Sequence, residues 1–126
     1  MILIDTNIII EILKGNSQII DQIKLLSNDE ICISVITYAE LIFGVRNKAE
    51  QLKLEQKLKE LQIVNIDVRI SNIFMNLIKN YSLSHKLNIP DALIAASAIV
   101  TQSKLLTLNI KDFKYIPDIE LYVSSE

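Results

Sequence analysis

The chain opens MILIDTNIII: four apolar residues, one acid, two small polar residues, then isoleucines. The unbroken apolar start predicts a short strand buried on both faces. TNIIIEILKGN predicts a helix stopping near Gly15, and from Ser17 the positions Ile19, Ile20, Ile23 and Leu26 keep helical spacing. EICISVI (30–36), bounded by Asn28 and Asp29, predicts a second strand, and TYAELIFGVRN a helix. Residues 48–62 set Leu54, Leu58 and Leu61 among Lys, Glu and Gln, the pattern of a helix with one solvated face. QIVNI (62–66) predicts a third strand. After Asp67, Ile70, Ile73, Phe74, Leu77, Ile78 and Tyr81 form one apolar stripe, and Pro90 begins a further helix, DALIAASAIVTQS. KLLTL (104–108) predicts a fourth strand and ELYV (120–123) a short last one. Strands alternating with helices imply an α/β protein whose parallel sheet is covered on both faces.

Composition narrows the picture. With 126 residues and no linker, repeat or low-complexity segment, a single domain over 1–126 is expected. Half the residues are hydrophobic, which excludes disorder, and two Gly with two Pro are too few for a many-turned all-β protein. Cys32 is the only cysteine, so an internal disulfide and a thiolate metal cluster are excluded, and a reducing, cytoplasmic location is expected. Asp5 and Glu11 near the start do not fit a signal peptide, and ALIAASAIV (92–100) is too short to span a bilayer, so no membrane partner is expected. The net charge of −2 argues against binding nucleic acid through bulk positive charge. Neutralising four acids with cations would leave 13 basic residues against 11 acidic ones, a mildly positive frame.

Four acids occupy comparable places. Taken singly, each has a structural explanation. Asp5 would cap the helix after MILI, Thr37 and Glu40 fit a T-x-x-E capping box, and Asp91 falls in a first helical turn after Pro90. Asn109 would cap a turn in NIKDF, with Asp112 three residues on. Together they suggest more. Asp5, Glu40 and Asp112 each follow a predicted strand, where parallel sheets open their ligand crevice, and Asp91 lies on the helix that feeds the fourth strand. Four carboxylates in one crevice repel unless a cation neutralises them, and oxygen donors without His or Cys suit Mg²⁺ or Mn²⁺.

The ordered set MILIDTN, ITYAELIFGV, LNIPDALIAASAI and LLTLNIKDF resembles the PIN-domain ribonucleases, and within them the VapC-type toxins of toxin–antitoxin pairs. The resemblance covers nearly the whole chain. It implies a three-layer α/β/α fold around a four- to five-stranded parallel sheet. It implies an acidic site of Asp5, Glu40, Asp91 and a fourth acid that binds one or two divalent ions, Mg²⁺ or Mn²⁺. The fourth acid is Asp112 from the N-I-K-D-F context, with Asn109 as the alternative position. Thr6, Asn7, Thr107 and Asn109 are expected as supporting partners of the carboxylates, although Thr6, Asn7 and Thr107 also read as ordinary turn and cap residues. A small antitoxin covering the crevice is implied too, in a hetero-oligomer with the toxin or beside a homodimer. The isoleucines Ile8, Ile9, Ile10 and Ile12 exceed one buried stripe, so part of that helix is expected to meet a partner, a second copy, or its own neighbours.

The residues also narrow the chemistry. His85 is the only histidine, so a two-histidine ribonuclease mechanism is excluded, and His85 itself reads as a helix-surface residue. No G-x-S-x-G motif is present. Metal-assisted phosphodiester hydrolysis uses such an acid cluster, with products bearing a 5′-phosphate and a 3′-hydroxyl. Asp5 and Asp91 are expected to bind the ions directly, while Glu40 and Asp112 complete the sphere or orient the attacking water. Arg46, Lys48, Lys86, Lys104, Lys111 and Lys114 lie near the motifs as phosphate contacts or as plain surface cations. Aromatic residues make up 6%, which favours RNA read by shape, a structured RNA such as tRNA by the resemblance, over base stacking. Three other readings stand beside the toxin: a PIN nuclease of RNA processing, an inert PIN fold acting as a binding module, and a phosphoacceptor receiver domain. Only Asp67 after the third strand favours the receiver.

Overall fold

The computed structural model describes residues 1–123. Its elements are β1 (Ile2–Ile4), α1 (Thr6–Leu13), α2 (Ser17–Lys24), β2 (Ile31–Ser34), α3 (Val35–Phe43), α4 (Lys48–Leu58), β3 (Gln62–Val64), α5 (Val68–His85), α6 (Ile89–Thr101) and β4 (Lys104–Leu106). Short 3₁₀ turns cover Asn28–Glu30 and Ile110–Asp112. The four strands pair in parallel in the order β3-β2-β1-β4. The predicted ELYV strand contributes one parallel bridge, Leu105 to Leu121, at the open edge of β4.

Every central strand is apolar on both faces because each face meets helices. Ile2, Ile4, Ile31, Ile33 and Leu106 pack with Ile8 and Ile9 of α1, Leu41 of α3, and Leu54 and Leu58 of α4. Leu3, Cys32 and Leu105 point the other way, into Ile70 and Leu77 of α5 and the alanine face of α6. Alternate residues of one short run thus feed two cores, giving the three layers. The alanines let α6 approach the sheet closely: Ala92, Ala95 and Ala96 are fully buried.

Several boundaries fall inside the predicted ranges. The second strand ends at Ser34 instead of residue 36, because the Ser34 side chain caps α3 by accepting from Thr37 N (3.1 Å). The proposed Thr37–Glu40 capping box is therefore incorrect; both residues lie within α3. Asp67 caps α5, accepting from Ile70 N (2.9 Å), which gives the one receiver-like acid a structural role. Gly15 closes α1 at φ +84°, while Gly15 N and Asn16 N donate back to Ile12 O and Glu11 O, an ending that needs a residue tolerant of positive φ.

Leu3 has no solvent exposure, whereas Leu52 on α4 is 53% exposed. Leu3→Ala should lower the unfolding free energy by about 2–5 kcal/mol, and Leu52→Ala should stay within about 0.5 kcal/mol. Urea denaturation checks both; equal small effects would contradict a two-sided sheet.

Candidate active site

β1 and β2 pass into their helices without a loop. Asp5 is at once the residue after β1 and the N-cap of α1, and Ser34 ends β2 and caps α3. A helix start needs polar groups to satisfy its free N–H donors, so these junctions place polar side chains at the carboxyl edge of the sheet. The strand order reverses direction at β1, with β2 on one side and β4 on the other. The crevice of an open parallel sheet forms at such a reversal, and Asp5 stands there.

Asp5 is only 4% exposed. Its Oδ1 accepts from Thr6 N (2.8 Å) and its Oδ2 from Thr107 Oγ1 (2.7 Å). Thr107 follows β4 directly and is itself held, accepting from Asn109 N (3.0 Å) and from Asn7 Nδ2 (3.4 Å). Asn7 Oδ1 accepts from Leu108 N (3.3 Å), which ties α1 to the segment after β4. On the other side, Thr6 Oγ1 donates to Glu40 Oε1 (2.9 Å) and lies 3.1 Å from Thr37 Oγ1. Thr37 is fully buried and accepts from Ser34 Oγ (3.3 Å). Thr6, Asn7 and Thr107 thus touch the acids or one another. Asn109 acts through its backbone, and its side chain makes no capping bond.

In the sequence Ser34 goes unread altogether and Thr37 carries only a capping role, not the brace on Thr6. The signal was the S-x-x-T spacing at the end of β2, masked there by the strand-like composition of ICISVI. Asp91 sits in the first turn of α6 behind its N-cap Asn88, whose Oδ1 accepts from Asp91 N (2.9 Å). Asp112 ends the 3₁₀ turn after β4 and is exposed.

The acids feel one another. Burial raises the Asp5 carboxyl and Glu40 raises it further, while the bonds from Thr107, Thr6 and Asn7 pull it back. Asp91 is pushed from 3.8 up to about 6, by burial first and then by Asp5, Asp112 and Glu40, against a smaller opposing effect of Asn88. All four predicted acids therefore share one electrostatic field. Among the described residues, however, no three His, Cys, Asp or Glu side chains stand close enough to hold an ion as they are. The arrangement is a shared negative field at the carboxyl edge of the sheet.

The basic candidates separate by position. Arg46 is engaged with Glu50 (2.6 Å). Lys104 opens β4 and so lies at the amino edge, opposite the acids. Lys86, Lys111 and Lys114 are exposed on segments that carry or adjoin Asp91 and Asp112, and none forms an ion pair among the described residues. Of the surplus isoleucines, Ile8 and Ile9 are core and Ile12 is partly buried against it. Ile10 instead lines, with Leu13, Leu41, Val45 and Leu54, a groove of about 490 Å³ that reaches Glu40.

A family model described as PIN domain matches residues 2–119. Ribonuclease VapC1 of Haemophilus influenzae is 34% identical over 94% of this chain and 93% of its own length. A toxin–antitoxin complex from Klebsiella pneumoniae contains a chain with a TM-score of 0.82 and 29% identity, covering 100% of this chain and 99% of that one. VapBC2 from Rickettsia felis, bound to a DNA fragment from its promoter, gives 0.82 and 31% over 97% and 98%.

The raised Asp91 carboxyl sets a stability trend. Between 3.8 and about 6 the folded chain holds a proton that the unfolded chain has released, so stability falls as pH rises through that window. Above it the penalty is complete. In EDTA the protein should melt higher at about pH 5 than at neutral pH, and Asp91→Asn should flatten that difference. Melting profiles of the two proteins that coincide across this range would contradict it.

Proposed function

The chain belongs to the PIN-domain family, and on that basis we propose that it is a ribonuclease toxin that hydrolyses RNA phosphodiester bonds and is restrained by a cognate antitoxin. The observation that carries this reading is the shared field of Asp5, Glu40, Asp91 and Asp112 at the switch point of the sheet. Its donors are all oxygens, Asp5 and Asp91 are at least partly buried, and the acids repel one another, a combination that suits one or two hard divalent ions, Mg²⁺ or Mn²⁺. Asp5 and Asp91 would hold them, with Glu40 and Asp112 completing the set. When bound, such ions activate water for attack on phosphorus and stabilise the leaving oxygen.

The rest of the chemistry lies in how the chain prepares its acids. Thr107 and the Thr6 amide hold Asp5 in one orientation and offset the cost of burying its charge. Thr6 turns Glu40 toward the same crevice, and Thr37 fixes Thr6. Against the upward push of burial and the neighbouring acids, the first turn of α6 favours the ionised form of Asp91, the form a cation needs. The substrate is RNA, a structured RNA such as tRNA by the sequence resemblance. The antitoxin would fill the groove of Ile10 and Leu13, whose apolar floor runs to Glu40 and so gives an inhibitor a path to the acids.

Incubation of the pure protein with total RNA and Mg²⁺ or Mn²⁺ should give products with 5′-phosphates. EDTA and Asp5→Asn should each abolish cleavage, and Thr107→Val should slow it by about 10- to 100-fold. Cleavage that survives EDTA, or an Asp5→Asn protein as active as wild type, contradicts the mechanism. For the groove, Ile10→Lys with Leu13→Lys should weaken inhibition by the co-expressed antitoxin about tenfold or more without loss of cleavage. Unchanged inhibition would place the antitoxin elsewhere.

A further inference from the structure

His85, Tyr81 and Tyr115 form a cluster that the acid site does not explain. The His85 and Tyr115 rings stack at 4.0 Å between centroids with 13° between planes. Tyr81 meets Tyr115 at 5.3 Å and His85 at 5.7 Å, tilted steeply to both. Those three distances put Tyr81 beside the stack, since a ring on the far side of His85 would be much farther from Tyr115. His85 is exposed, and with Tyr115 on one face of its imidazole and Tyr81 at the side, the face away from Tyr115 is the one left toward solvent.

The His85–Tyr115 pair is a close parallel stack, and the chain holds both rings in it. It does so from both sides. Lys86 takes a left-handed conformation (φ 56°), and Leu87 N donates to Tyr81 O (3.3 Å), which ends α5 firmly beneath His85. Tyr115 lies between Phe113 and Ile116, both fully buried. The Tyr115 hydroxyl is buried with no hydrogen-bond partner among the described residues, so no polar bond holds the ring in place. Packing and the chain on either side hold the ring, so its use is to be sought in its surroundings.

Its location suggests what that is. Tyr115 follows Asp112 by three residues, and His85 precedes Asp91 by six around the α5–α6 corner. The fields of Asp91 and Asp112 both reach the Tyr115 hydroxyl and, after burial, help raise it above its ordinary value. The exposed cations Lys86, Lys111 and Lys114 adjoin the two rings and Asp112 in sequence. An open aromatic face on a rigid support, beside acids and flanked by unpaired lysines, is what a single-stranded nucleotide binds: base on the ring, phosphates on the cations.

We propose that the outer face of His85, backed by Tyr115, is a stacking platform for one unpaired base of the RNA, next to the phosphate that is cleaved. This rests on the ribonuclease reading above, and it replaces the expectation of recognition by shape alone. Because stacking tolerates any base, the platform positions the strand and leaves sequence choice to other contacts.

The test combines steady-state cleavage of RNA oligonucleotides with binding of the same oligonucleotides carrying 2-aminopurine, the latter in an Asp5→Asn background so that binding is not confused with turnover. His85→Ala should raise KM about fivefold or more, with a much smaller change in kcat, and should remove 2-aminopurine quenching at one position. His85→Tyr, which keeps an aromatic face, should restore both. Wild-type cleavage together with an unchanged KM and unchanged quenching in His85→Ala overturns the platform and leaves the nuclease reading standing. Rescue by His85→Lys but not by His85→Tyr assigns the site to charge and also overturns it. A shift of oligomeric state in His85→Ala, with KM unchanged, would make the face a contact between copies of the chain. Absence of any cleavage by the wild-type protein removes the reading and the platform together.

Discussion

The structure depends on a carboxylate that is almost out of water. Asp5 lies at the end of the central strand, 4% exposed, and an ionised group there must be compensated by bonds or by charge. Thr107 supplies one bond from beyond β4 and the Thr6 amide another from the start of α1. Neither removes the repulsion from the other acids. Burial and that repulsion together leave Asp91 near 6, a state of tension that a divalent ion would relieve. Fold and proposed chemistry meet at this point, because the same hydrogen bonds hold the strand end, begin the helix and aim the acid.

The strand-to-helix junctions make that possible. With no loop after β1 or β2, helix caps and site residues have to come from the same few positions. Asp5 is both a cap and an acid of the crevice, and the two uses agree because a helix start favours the ionised form. On the β2 side the duties are divided: Ser34 caps, Thr37 braces Thr6, and Thr6 holds Glu40. Asp91 and Asp112 enter from elements that need no such economy, α6 and the turn after β4, and both are more exposed. Tyr115 lies just beyond that turn, which brings the aromatic stack into the same field.

Legibility in the sequence followed the kind of interaction. The types of the helices and of the four paired strands were readable, because apolar periodicity reflects burial and burial here is strict: Leu3 has no exposure and Ile33 none. Boundaries were less readable. In ICISVI the β-branched residues continue past the strand, and only the capping bond of Ser34 shows that α3 has begun at Val35. The four acids stand out as a set in the sequence because each follows a predicted strand or opens a predicted helix, although Glu40 lies inside α3 and Asp112 ends the turn after β4. Their partners were partly so: Thr6 and Thr107 adjoin an acid or a strand end, while Thr37 acts across 31 residues. Lys104 neighbours a motif and so read as a phosphate contact or a plain surface cation; it stands at the amino edge of the strand, away from the acids.

The sequence by itself determined the layered α/β architecture and the family, since apolar periodicity carries the first and the ordered motifs the second. Only the tertiary structure decided which hydroxyls brace which carboxylate and that Ile10 faces a groove while Ile8 and Ile9 fill a core. It alone brought His85 onto Tyr115 beside the acids. The reason is physical. Periodicity and capping act over a few residues, whereas the field at Asp91 and the stack at His85 depend on distances between segments far apart in the chain, set by how two helix layers close on one sheet.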